Sequence, residues 1–347
     1  MRTVDWVDDC VDMVDQTRLP QELVRLQVRD VATLIDAIER LAVRGAPAIG
    51  VAGALGVAIA YAEADPSQDR ARFDELVVAI RAARPTAVNL ATQVDRVSAL
   101  ADQGYQAVLA EAMLIRDEEL AASIAMGERG ADLIESLVER RPIRAMTICN
   151  TGGLASVERG TALAVVQTLH ERGVLEVVLP LETRPLLQGA RLTAWELQQM
   201  GAPHELIVDS AGPALLGRGE VDVVLAGADR IAANGDSANK IGTFSLALGA
   251  NYAEVPFLIV APESTIDSQT ATGGGIVIEE RAAAEVVGFR ETTFAPKNTP
   301  CRNPAFDVTP AALISAIVTD SRVVNTSIGE TPANPSDAIP GEAARPA

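Results

Sequence analysis

From Ile143 onward the sequence repeats one rhythm: a short apolar run, a loop of small residues, then a stretch with helical spacing. The apolar runs at 143–149, 175–181, 206–209, 221–225 and 257–260 have strand length and are bounded by turn-forming residues. Strands that alternate with helices predict a mainly parallel, doubly wound sheet, so the fold class is α/β. Ligands of such a sheet sit beyond the carboxyl ends of its strands. Cys149 and Asp229 both occupy such ends.

The first part of the chain reads differently. Residues 3–28 alternate loosely and break at Asp8-Asp9 and Leu19-Pro20, which suggests short antiparallel strands. Asp30 has the chemistry of a helix cap, and helical patterns follow over 31–43, 70–84, 87–102 and 114–140. Between them, 46–62 is an uncharged Ala- and Gly-rich run whose Gly50, Gly53 and Gly56 recur every third residue, leaving a face that another backbone or a ligand can approach closely. It contains Pro47 and falls short of the ~20 strongly apolar residues of a membrane span, so it reads as a buried helix. The expected organisation is an N-terminal strand-plus-helix domain over 1–140, a catalytic sheet domain over 141–330 and a disordered, Pro- and Ala-rich tail over 331–347.

A net charge of -18 argues against general attraction to nucleic acid or to an anionic membrane, so any anionic ligand needs a local cationic pocket. Cys10, Cys149 and Cys301 are widely spaced, with neither a C-x-x-C metal pattern nor a disulfide framework, and the first ten residues lack the apolar core of a signal peptide. A cytoplasmic setting follows as the expectation. With only His170 and His204, a histidine triad or metal cage is not expected, and no phosphate-loop, zinc-protease, nucleophile-elbow or dinucleotide fingerprint occurs.

Three local patterns carry chemistry. In 221–243 a buried strand delivers Asp229 to its tip, and Asn239 and Lys240 stand before an apolar segment that reads as a helix over 241–248. An ordinary strand-to-helix turn with solvated charges has the same letters. Cys149 runs into Gly152-Gly153, where backbone amides could stabilise a thiolate, although a lone cysteine is as readily a small buried hydrophobe. Arg44-Gly45-Ala46-Pro47 places a cation before a helix start, a natural anion site that an ordinary helix start also matches; Arg84 and Lys240 are further candidate cations.

Taken together, DQTRLP (15–20), VRGAPAIG (43–50), ETRPLLQGARLTAWEL (182–197), GADRIAANGDSANKIGT (227–243) and RNPAFDVTP (302–310) resemble the methylthioribose-1-phosphate isomerases. The resemblance implies a Rossmann-like C-terminal domain beside a smaller N-terminal one, a homodimer, and no metal or organic cofactor. It implies that Cys149 and Asp229 are the catalytic pair. Substrate contacts are carried over to Arg44, Gly45, Ala46, Arg84, Gln188, Asn239 and Lys240. The chain departs from the family pattern at Ile148, at Leu181 and in Asp209-Ser210-Ala211-Gly212, and the expectation is that the pocket wall is drier there. Related isomerases of 5-deoxyribose 1-phosphate or ribose 1,5-bisphosphate stand as alternatives, as do regulatory subunits of the initiation exchange factor, which share the fold but do not need the Cys149 and Asp229 pair.

Overall fold

The computed structural model describes residues 1–84 and 88–334. Strands β1 (Val4–Val7), β2 (Cys10–Val14) and β3 (Arg25–Val28) form an antiparallel sheet in that order, as the broken alternation predicts. Asp30 caps α1 (Val31–Glu39) by accepting the Thr33 N–H at 2.8 Å. There follow α2 (Ala46–Glu63), α3 (Arg70–Ala82), α4 (Val88–Ser98) and the long α5 (Tyr105–Leu137). Helix α2 is apolar on every side and is the core of this half, with Ala48 through Ala60 buried. Its glycines serve helix packing: a Cβ on Gly53 would lie 2.3 Å from Leu90 of α4, and one on Gly56 2.2 Å from Leu34 of α1.

The second half runs β4 (Ile143–Thr147), α6 (Ala162–Glu171), β5 (Leu175–Pro180), α7 (Ala194–Gln199), α8 (Gly212–Gly217), β6 (Val223–Ala226), β7 (Arg230–Ala232), β8 (Ser237–Lys240), α9 (Thr243–Tyr252) and β9 (Phe257–Val260). It continues with β10 (Ile266–Asp267), α10 (Ala284–Val287), β11 (Gly288–Phe289), β12 (Thr292–Thr293), β13 (Phe306–Thr309), β14 (Ala316–Val318) and β15 (Val323–Val324). The main sheet has the order β15-β14-β9-β6-β4-β5, parallel throughout except for edge strand β15. One of its faces packs on α5 and α6 through residues such as Met126, Ile134 and Leu169; the other packs on α8 and α9 through Leu216, Leu246 and Ala250. Core therefore lies on both faces, which is why its strands read as continuous apolar runs.

Three expectations are corrected. Residues 206–209 are not a strand, for they make only one isolated parallel bridge, Leu181 with Ile207, and Asp209 already begins a 3-10 turn. Asn239 and Lys240 lie within strand β8 of a smaller sheet, β10-β7-β8-β13, rather than at a helix mouth. Pairing with β13 buries β8 completely, and its polar letters hide a strand from any apolar count. Helix α9 starts only after Gly242, whose φ of 102° breaks the chain direction. Of the expected tail, 331–334 form a turn in which Ala333 N–H donates to the Ala233 carbonyl at 3.2 Å; 335–347 lie outside the described residues.

Candidate active site

A cavity of about 730 Å³ opens between the N-terminal helices and the carboxyl ends of β4 and β6. Arg44, Gly45, Ala46 and Arg84 line it from the first half of the chain; Cys149, Gln188, Asp229 and Lys240 line it from the second. Asn239 does not line it. Side chains alternate along a strand, so Ala238 and Lys240 face the cavity while Asn239 turns away and donates to Thr243 Oγ1 at 3.0 Å.

The cavity is cationic in an acidic protein. Arg44, Arg84, Lys240 and Arg191, the last not singled out in the sequence, make no ion pair among the described residues. Lys240 is only 8% exposed, and its Nζ has just the Ala305 carbonyl at 2.7 Å and the Phe306 ring at 4.5 Å. Burial, with Arg290 and Arg44 nearby, pulls Arg191 down to about 10. Arg84 is lowered as well, chiefly by burial, with Glu279 opposing. Arg44 Nε, Arg191 Nε and Gln188 Oε1 are buried with no partner. Buried charges and orphaned polar atoms are costly unless paired, so this wall is built for an anion with further acceptors and hydroxyls. The first turn of α2 begins at Gly45 and Ala46, and helix starts carry N–H groups without intrahelical partners. Gly45 is required there: its φ is 90°, and a Cβ would stand 2.3 Å from the Ala155 carbonyl oxygen.

Cys149 follows β4 with φ of 67°, a left-handed conformation that costs a non-glycine residue about 1–3 kcal/mol. Its backbone is clamped from both sides. The Cys149 N–H donates to Thr183 Oγ1 at 2.9 Å, and its carbonyl accepts from Thr193 Oγ1 at 2.6 Å. Thr183 is itself fixed by Asp209, whose carboxylate accepts the N–H groups of Thr183 and Arg184 at 2.7 Å each. Thr193 closes a π turn, Gly189–Thr193, that continues into α7, and Glu196 on that helix accepts from Asn150 Nδ2 at 2.5 Å and from the Leu154 N–H at 3.1 Å. Burial pushes Glu196 up, opposed by its bond from Asn150. Sequence reasoning missed Thr183, Thr193, Glu196 and Asp209. The available signal was Thr193 and Glu196 three apart, on one side of a helical turn.

Asp229 lies between β6 and β7, its N–H donating to the Ala238 carbonyl at 2.9 Å. Its side chain is exposed where it faces the cavity, while protein crowds its other sides. Burial raises its pKa; Lys240, Arg44 and Arg84 oppose the rise and Glu279 reinforces it. Water in the open cavity screens part of this effect, and a ligand that displaces the water strengthens it.

The departures from the family pattern sit elsewhere, which corrects the expectation of a drier cavity wall. Leu181, Asp209 and Ser210 line a separate pocket of about 240 Å³ with Pro213, Gly242, Ser245 and Leu246. Ile148 is buried in the core on that side, against Gly242. What the sequence did not reveal is the segment 276–290, which supplies Ile276, Val277, Ile278 and Phe289 as an apolar wall of the main cavity.

Comparison with known proteins places these features in context. Residues 42–326 match the Initiation factor 2 subunit family. A methylthioribose-1-phosphate isomerase of Klebsiella pneumoniae is 47% identical over 90% of this chain and 91% of its own length. A probable bifunctional methylthioribose-1-phosphate isomerase/methylthioribulose-1-phosphate dehydratase of Nocardia farcinica is 48% identical over 96% of this chain, which spans 61% of that longer protein. Among solved structures, 5-methylthioribose 1-phosphate isomerase from Pyrococcus horikoshii superposes with a TM-score of 0.87 at 38% identity, covering 93% of this chain and 92% of its own. The translation initiation factor eIF-2B subunit delta from A. fulgidus gives 0.85 at 38% identity, covering 94% and 96% respectively.

Proposed function

The chain belongs to the initiation factor 2 subunit family, among its methylthioribose-1-phosphate isomerases, and from that premise we propose that it converts methylthioribose 1-phosphate to methylthioribulose 1-phosphate with Asp229 as general acid and Cys149 serving the hydrogen transfer. The observation that carries this reading is the convergence on one cavity of Cys149, Asp229 and four cations that make no ion pair among the described residues.

An aldose 1-phosphate has its anomeric carbon locked in a ring and esterified, so the ring must open with the phosphate attached. Asp229 gives its proton to the ring oxygen as the bond from C1 to that oxygen breaks. Hydrogen then moves from C2 to C1 while the C2 hydroxyl loses its proton and becomes the ketone. Cys149 acts on that transfer, as base or as stabiliser of its transition state. The Asp229 carboxylate, having given up a proton, is the group available to take one back. Arg44, Arg84, Lys240 and the start of α2 at Gly45 and Ala46 hold the phosphate, and Gln188 holds a sugar hydroxyl. Asn239, turned from the cavity, acts by tying β8 to Thr243 of α9.

The apolar wall of Leu186, Ile276, Val277 and Phe289 suits a methylthio group at C5 better than a second phosphate. Assaying methylthioribose 1-phosphate beside 5-deoxyribose 1-phosphate and ribose 1,5-bisphosphate tests this: the first is expected to turn over with the highest kcat/KM. A chain that binds the sugar phosphates and never converts them overturns the enzyme reading in favour of a regulatory subunit. We also propose a homodimer, for which exposed Leu206, Val208, Leu248 and Tyr252 offer apolar surface, to be checked by sedimentation, and a cytoplasmic location, to be checked by cell fractionation.

A further inference from the structure

We propose that Glu196 is a positioning residue that aims Arg44 into the cavity by fixing the orientation of the Asn150 amide. Glu196 is 8% exposed and touches no cavity space. Its two oxygens receive Asn150 Nδ2 at 2.5 Å, the Leu154 N–H at 3.1 Å and the Gly153 N–H, while Asn150 Nδ2 makes a longer second bond to Thr193 Oγ1 at 3.3 Å. A carboxylate only accepts, so the NH₂ end of the Asn150 amide must turn to Glu196 and its oxygen must turn the other way. That oxygen meets Arg44 Nη2, which also donates to the Asn150 carbonyl at 2.9 Å. The guanidinium is thereby held by two acceptors on one residue, with its Nε left unpartnered. The space is reserved as well, since a Cβ on Gly152 would lie 2.4 Å from Glu196 Oε2.

The chain of donors has a direction, and an amide at position 196 breaks it. Glutamine offers one oxygen where the carboxylate accepts the Asn150 amide and the N–H groups of Leu154 and Gly153. It leaves either the Leu154 N–H or the Asn150 amide unmatched, and an Asn150 that flips presents its NH₂ to Arg44. Glu196→Gln is therefore expected to raise KM for methylthioribose 1-phosphate about 10–100-fold, the size of effect seen when an orienting partner is removed, while kcat falls much less. Inorganic phosphate should stabilise the variant less against heat than it stabilises the parent. The swapped pair Asn150→Asp with Glu196→Gln restores the direction. The new carboxylate accepts from both Arg44 and the glutamine NH₂, and the glutamine oxygen accepts the Leu154 N–H. KM should return to within about threefold of the parent.

The proposal rests on the reading of Arg44 as a phosphate contact, and the outcomes separate the two. A parent protein that neither turns over the sugar phosphate nor gains heat stability from inorganic phosphate defeats the functional reading. A working parent whose Glu196→Gln form keeps its KM defeats the relay, as does a folded double variant no better than the single one. Should the double variant not fold, the KM of Glu196→Gln decides alone.

Discussion

Two neighbouring residues, Cys149 and Ile148, belong to two different hollows. Cys149 opens on the large cavity in front, where cations stand unpaired, polar atoms lack partners and the backbone is left-handed. Ile148 is 1% exposed and packs behind, in the core beside the small pocket with Leu181, Gly242 and Leu246. The front breaks rules that folding favours and the back obeys them. Strain and unpaired polarity are stable only where surrounding structure enforces them, and here Asp209, Thr183, Thr193 and Glu196 do so. The contrast teaches that substitutions behind β4 adjust packing, whereas those in front alter chemistry.

The widest test of this contrast is Asp229→Asn. Removing a general acid costs about 10²–10⁴-fold in rate, so kcat should fall that far while inorganic phosphate still protects the protein from heat. A D229N variant that keeps normal turnover would remove the acid from the front. The pH profile sharpens the same point. Burial raises the Asp229 pKa, so the proton-bearing form is full at low pH and is lost as pH rises through the raised value; kcat/KM limited by this acid should fall on that alkaline limb, and D229N should lack the limb.

Next in size is Lys240→Met, which keeps a buried apolar stem but deletes the charge together with its bond to the Ala305 carbonyl and its contact over the Phe306 ring. A charge-assisted hydrogen bond contributes about 1.5–3 kcal/mol, so KM for the sugar phosphate should rise on the order of 10–100-fold. Steady-state kinetics at two ionic strengths would read it. Because a buried cation without a carboxylate partner costs stability, the unliganded variant should melt no lower than the parent. A lower melting temperature would mean that Lys240 serves the fold.

Strands β4, β5, β6 and β9 of the main sheet were legible as short, largely buried apolar runs, and 257–260 matches β9 residue for residue; β14 and β15, short strands at the sheet's far side, were not read from the sequence. Helix α2 was legible for the same reason: an uncharged run of that length has to be buried. Strand β8 was not, because Ser237, Asn239 and Lys240 are buried through strand pairing and hydrogen bonds rather than apolar character. Residues that line the cavity, such as Arg44 and Asp229, announce themselves by charge within two positions of a glycine. Arg191, although as near to Gly189, and Glu196 were not singled out, since the fact that matters is which partners surround them, and Gln16, Leu19 and Asn150 are far away in the chain. The direction of Ile148 was equally hidden. A strand end that turns left-handed at its next residue no longer follows simple alternation, so adjacency to Cys149 suggested a shared wall that the fold does not make.

The smallest effect, and the one on which the front–back distinction depends most closely, is expected from Ile148→Val. Deleting one buried methyl group costs about 0.5–1.5 kcal/mol, which a urea melt resolves as a lower midpoint with an unchanged slope. Kinetics should not follow. Cys149 takes its position from Thr183 Oγ1 on its N–H and Thr193 Oγ1 on its carbonyl, and both bonds survive the loss of a methyl that points toward Gly242. A kcat/KM that drops about tenfold, equivalent to roughly 1.4 kcal/mol at the transition state, would show that packing behind β4 is transmitted to the thiol and that the two hollows act as one.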